Sequence, residues 1–136
     1  MQITRQADYA VRAVTFLARL GADHRAATST IAQEQQIPPS FLAKIVSQLS
    51  VAGLLTTSRG ARGGVSLARP PKDISLLEVV EAIDGPIMLN ECVGDSGSCK
   101  FSDDCPMHPI WCEAQHELVQ KLKNTTFDKV LNDKNK

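Results

Sequence analysis

The chain has 136 residues, 43% apolar and 22% charged, with a formal net charge of zero and four cysteines. That is the size and balance of one compact unit with a real core, and with only 4% aromatic residues the core must rest on Leu, Val, Ile and Ala. The opening MQITRQADYAVRA carries Arg5, Asp8 and Arg12 where a signal peptide needs an apolar stretch. No apolar run approaches the roughly 18 residues of a membrane span, so a cytoplasmic protein without a membrane partner is expected.

The zero net charge hides a division. Residues 1–72 hold nine Lys/Arg against three acids, and residues 73–136 hold six against twelve. After Glu34 no acid occurs until Asp73, while Lys44, Arg59, Arg62, Arg69 and Lys72 fall between or beside them. A basic half beside an acidic half suggests that one face meets phosphate and the other has different work.

In chain order, Ala10, Ala13, Val14 and Leu17 share one face of an amphipathic helix that should stop near Gly21. TSTIAQEQQ (28–36) reads as a short second helix opened by Thr/Ser caps. Pro38 and Pro39 then break the chain and start a third helix, Ser40–Val51, with Leu42, Ile45, Val46 and Leu49 on its inner face and Gly53 ending it. LLTTS (54–58) and VSLA (65–68) are extended segments around the glycine-dense RGARGG, which makes a hairpin. Helix, helix–turn–helix and hairpin in that order predict a winged helix, with Ser40–Val51 as recognition helix and Arg59–Gly64 as wing. Ser75 and Glu78 form a capping box for a helix through about Ala82, ended by Asp84-Gly85-Pro86. ECVGDSGSCKFSDDC (91–105) is too polar to form a core. From Pro106 a long helix returns, with Ile110, Ala114, Leu118 and Leu122 in an apolar stripe, Trp111 and Val119 beside it, and a short helical stretch Phe127–Leu131 before a polar end expected to be disordered. The fold class is therefore mainly α with a small β-hairpin wing. It divides into a DNA-binding unit (1–84), a cysteine-bearing loop (85–105), and a dimerisation helix with its tail (106–136).

A helix in the major groove turns its solvent side to bases and phosphates. Off the apolar face of Ser40–Val51 lie Ser40, Phe41, Lys44, Ser47 and Gln48, whose hydroxyls, amide and ammonium can bond bases or backbone. Arg59 and Arg62 on a glycine-rich tip suit a minor groove. Each piece alone would also fit an ordinary solvated surface; the ordered set favours DNA.

All four cysteines lie within 21 positions. Cys92, Cys99 and Cys105 form C-x6-C-x5-C, and His108 adds C-x2-H. Soft thiolates on one loop favour an iron–sulfur cluster or zinc, and clustered cysteines in a cytosolic chain argue for metal or redox chemistry over structural disulfides. The spacing fits neither the short knuckles of zinc ribbons nor a ferredoxin. Cys112, inside the long helix beside Trp111, reads as a packed thiol rather than a ligand.

These motifs resemble the winged-helix iron–sulfur regulator family that includes the iron–sulfur-assembly regulator and the nitric-oxide-responsive repressor. The resemblance runs from T-R-Q-A-D-Y-A-V-R-A through L-S-V-A-G-L-L, R-G-A-R-G-G and E-A-I-D-G-P-I to C-x6-C-x5-C-x2-H-x2-W, nearly the whole chain. It implies a homodimer, held by the long helix, on palindromic promoter DNA, with a cluster on Cys92, Cys99 and Cys105. The fourth ligand it implies is either a histidine at His108 or an N-terminal carboxylate at Asp8, given by the partner subunit. His108 is favoured and would go with a 2Fe–2S cluster; Asp8 would go with a 4Fe–4S cluster.

A sensor that regulates transcription is thus the expected function. A zinc- or thiol-based regulator without a cluster is the alternative, and an electron-carrier or metal-storage domain has no use for a basic reading head. No nucleophile–base pair or phosphate-binding glycine loop after a strand points to an enzyme or a small-molecule substrate.

Overall fold

The computed structural model describes residues 3–21, 23–58, 63–89 and 106–134, so Arg59, Arg62, Cys92, Cys99 and Cys105 lie outside the described residues. Helix α1 (Arg5–Leu20) begins where the Thr4 hydroxyl accepts the N–H of Ala7 at 3.1 Å and ends at Gly21, whose φ is +105°. Its buried face is Ala7, Ala10, Ala13, Val14, Leu17 and Ala18. The small residues on that face let neighbouring helices come close, and α1 becomes the central rod of the molecule.

Helix α2 (Thr28–Gln35) starts one residue earlier than Thr/Ser capping requires: its N-cap is Ala27, with no side-chain cap bond. The reason is tertiary. Ala26 pairs with Val65, N–H to O at 2.9 Å and back at 2.8 Å, so the chain is already extended at Ala26–Ala27 and turns helical at Thr28. Gln36, in the left-handed region at φ +54°, turns the chain into α3 (Pro39–Val51). Leu42, Ile45, Val46 and Leu49 of α3 are buried against α1 and its neighbours, as the spacing predicts.

Strands β1 (Leu55–Ser58) and β2 (Gly64–Leu67) form an antiparallel hairpin with Leu55 opposite Leu67 and Ser58 opposite Gly64. Gly64 has to be glycine: its φ is +148°, and a Cβ there would stand 2.8 Å from the Ala26 carbonyl oxygen. A 3₁₀ turn (Pro71–Asp73) leads into α4 (Leu76–Asp84), which carries the full capping box between Ser75 and Glu78 and runs two residues beyond Ala82 to its Gly85 cap. Arg69 bonds the Glu78 carboxylate at 2.6 Å.

Helix α5 (His108–Lys123) packs against α4, and α6 (Phe127–Lys134) folds back onto α1. Ser75 bridges Thr126, the Leu76 N–H reaches the Thr125 carbonyl at 2.8 Å, and the Phe127 N–H reaches that of Ile74 at 3.2 Å. Phe127, 1% exposed, joins the core of the first unit. The short stretch expected over Phe127–Leu131 is thus a helix that continues to Lys134 and belongs to the packing of the first unit. Among the described residues no helix is long and apolar enough to cross a membrane.

Candidate functional site

The inner face of α3 is fixed by four buried side chains, each worth about 1.5–3 kcal/mol of burial, so its outer face is held rigidly to solvent. Ser40, Lys44 and Ser47, at i, i+4 and i+7, form an exposed row on it. Phe41 is 43% exposed, with its ring 6.3 Å from that of Tyr9 on α1. Gln48 is half-buried, and its Oε1 has no partner among the described residues. The five sequence-predicted positions are therefore not equivalent: three are exposed polar groups, one leans on α1, and one lies at the edge of the core.

Behind Phe41 stands a small network. The Arg12 guanidinium lies 5.0 Å from the Tyr9 ring centroid, bonds the Asp8 carboxylate at 2.6 and 3.0 Å, and donates to the Gln35 carbonyl at 3.2 Å. Arg12 so ties α1 to the end of α2, and Asp8 is its ion-pair partner. Sequence reasoning missed the hydroxyls at the wing base: Thr28, Thr57 and Ser58 line a groove of about 260 Å³ with Gly63 and Gly64, beside the uncapped start of α2. Only the fold brings residues 28 and 57 together.

At the other end of the molecule, Gln115 of α5 uses both ends of its amide. Its Oε1 accepts the Leu89 N–H at 2.9 Å, and its Nε2 donates to the Ile87 carbonyl. The chain is thus fastened to α5 just before the first cysteine, Cys92. His108 stands in the first turn of α5, half-buried, with Nε2 3.5 Å from the Cys112 sulfur and Nδ1 buried without a hydrogen-bond partner among the described residues. Asp8 and His108 are placed on different elements, α1 and α5. Among the described residues no group of three or more His, Cys, Asp or Glu could hold a metal ion; the three predicted thiolates fall outside them.

Comparison with known proteins gives one consistent answer. Residues 3–133 match the Rrf2 model, described as an iron-dependent transcriptional regulator. The chain is 30% identical over 132 residues to the HTH-type transcriptional regulator IscR of Klebsiella pneumoniae, covering 97% of this chain and 80% of that one. Among solved structures it is similar to CymR, the global cysteine regulator of B. subtilis, with a TM-score of 0.80 at 24% identity over 96% of this chain and 95% of that one. IscR of T. potens gives a TM-score of 0.74 at 24% identity, covering 98% and 88%. Both likenesses establish the winged-helix fold.

Proposed function

Because the chain belongs to the Rrf2 family of DNA-binding transcriptional regulators and is not an enzyme, we propose that it is a cytoplasmic homodimer that reads palindromic promoter DNA and senses iron–sulfur, redox or nitric-oxide status through a cluster on Cys92, Cys99, Cys105 and His108. The exposed row Ser40, Lys44 and Ser47, on a helix whose other face is locked in the core, supports the reading head. Arg59 and Arg62 supply the wing's positive charge, and the hydroxyls at its base are donors of the kind that position a phosphate. Phe41 and Gln48 complete the surface from its edges.

One observation carries the ligand assignment: the buried, unpartnered Nδ1 of His108, three residues beyond Cys105. A buried nitrogen without a partner costs about 1–3 kcal/mol, and a metal would satisfy it. Asp8 is bonded to Arg12, but an exposed i, i+4 pair is worth only about 0.3–0.5 kcal/mol, too little to withhold it. The orphan nitrogen is what favours His108 over Asp8, and with it a 2Fe–2S cluster over 4Fe–4S. When bound, such a cluster supplies a centre that exchanges electrons and reacts with nitric oxide. The apolar side chains that α5 leaves uncovered support its role in joining two chains, which would set two reading heads about one DNA turn apart.

The test has two arms. Lys44→Ala should lower the slope of log affinity against log salt by about 0.9 per subunit, and Arg59→Ala should weaken binding through loss of a minor-groove contact; salt titrations superimposable on wild type for both variants would remove this surface as the reader. Cys92→Ala, Cys99→Ala and Cys105→Ala should each abolish the brown colour of protein prepared without oxygen. Stoichiometric zinc without sulfide would replace the cluster with a Cys₃His zinc site.

A further inference from the structure

Cys112 follows His108 by four residues, one helical turn, so the two side chains share a face of α5. The sulfur lies 3.5 Å from Nε2, within hydrogen-bonding reach of sulfur, and the thiol is free and half-buried. The other ring nitrogen, Nδ1, is buried and has no partner among the described residues. A neutral imidazole carries one N–H and one lone pair, and which nitrogen holds which is decided by its neighbours. With the proton on Nδ1, a donor would be buried with nothing among the described residues to receive it, and Nε2 would depend on the weak S–H donor. With the proton on Nε2, the N–H donates to sulfur and the lone pair is left on Nδ1. An orphan lone pair differs from an orphan N–H in one respect: a metal can satisfy it.

We propose that Cys112 is a positioning residue for His108: its sulfur accepts the Nε2–H, fixing the tautomer in which Nδ1 bears the lone pair, and Nδ1 is the atom offered to the cluster. This rests on the cluster reading given above. Histidines that bind metals regularly donate their second ring N–H to a neighbour that sets tautomer and ring orientation, and losing that neighbour weakens the site by about 10–100-fold. Here the neighbour is a thiol, supplied by the same helix one turn on. The packed thiol expected at Cys112 is then half of a two-residue device.

The tautomer can be read without any cluster. Long-range proton–nitrogen spectra of metal-free protein labelled at its histidine ring nitrogens should show the His108 proton on Nε2. Cys112→Ala should give a mixture of tautomers, and Cys112→Ser, which keeps an acceptor, should restore the wild-type pattern. In protein reconstituted without oxygen, Cys112→Ala should lose iron to a chelator about tenfold faster than wild type, with Cys112→Ser in between. A proton on Nδ1 in the wild-type spectrum, or equal iron loss from wild type and Cys112→Ala, overturns the inference while leaving the cluster intact. Bleaching of Cys112→Ala as complete as that of Cys92→Ala also overturns it, because the sulfur would then be a ligand itself. Wild-type protein without iron and sulfide removes the cluster reading, and the role of Nδ1 with it.

Discussion

Helices α3 and α5 have similar apolar spacing and opposite fates. The 13 residues of α3 bury four large side chains, while the 16 of α5 bury none. Ile110 and Trp111 are 51% and 39% exposed, and Ala114, Leu118, Val119 and Leu122 are half-buried. Single exposed apolar residues are ordinary; a whole amphipathic helix without one buried side chain is not. The reading head closes its core within one chain, with Phe127 of α6 as its last piece, whereas α5 keeps apolar surface for something else. That contrast is what supports a second chain on α5.

The largest effect should come from the finished side. Leu49→Ala removes a fully buried side chain and should cost about 2–5 kcal/mol in chemical denaturation; a cost below about 1 kcal/mol would mean that the α1–α3 core is loosely packed. An intermediate effect is expected at the capping box of α4, the helix on which α5 leans. Ser75→Ala should cost about 1 kcal/mol. Partial burial pushes the Glu78 carboxyl up, but Arg69 and Ser75 together hold it below its ordinary value. A depressed folded-state value contributes stability above the ordinary carboxylate range that is lost as pH falls through the lowered one. The stability gap between wild type and Glu78→Gln should therefore be full at neutral pH and close in acid; a gap that widens on acidification would reverse the sign. The smallest effect on unfolding should be that of Trp111→Ala, within about 0.5 kcal/mol when single chains are compared. Combined with Ile110→Asp, however, it should shift sedimentation from two chains to one without loss of helix signal. Retention of the dimer in that double variant would break the contrast between α3 and α5.

Local chemistry was readable from the sequence wherever it decided the structure. The face of α1, its stop at Gly21, the proline start of α3 and the Ser75–Glu78 box are all encoded within a few residues, and each is found in place. The start of α2 was not readable, because the pairing of Ala26 with Val65 sets it across 39 positions. For the same reason Phe127 read as tail: only the return of α6 onto Ile74 and α1 makes it core. At the start of α5, the spacing of His108 and Cys112 showed that the two could meet, but not that Nε2 faces the sulfur while Nδ1 is buried without a partner among the described residues. The polar row on α3 was legible as a set; that Phe41 leans on Tyr9 and Gln48 sits at the core edge depended on how α1 and α3 cross.

The proposal joins a cluster-bearing segment to a DNA-reading head. Its most direct test is the visible spectrum of protein purified without oxygen, with iron and acid-labile sulfide counted per chain. The account predicts brown protein with sulfide equal to iron, and loss of both on changing any one of Cys92, Cys99 or Cys105 to Ala. Colourless wild-type protein, holding zinc or no metal and no sulfide, would contradict it.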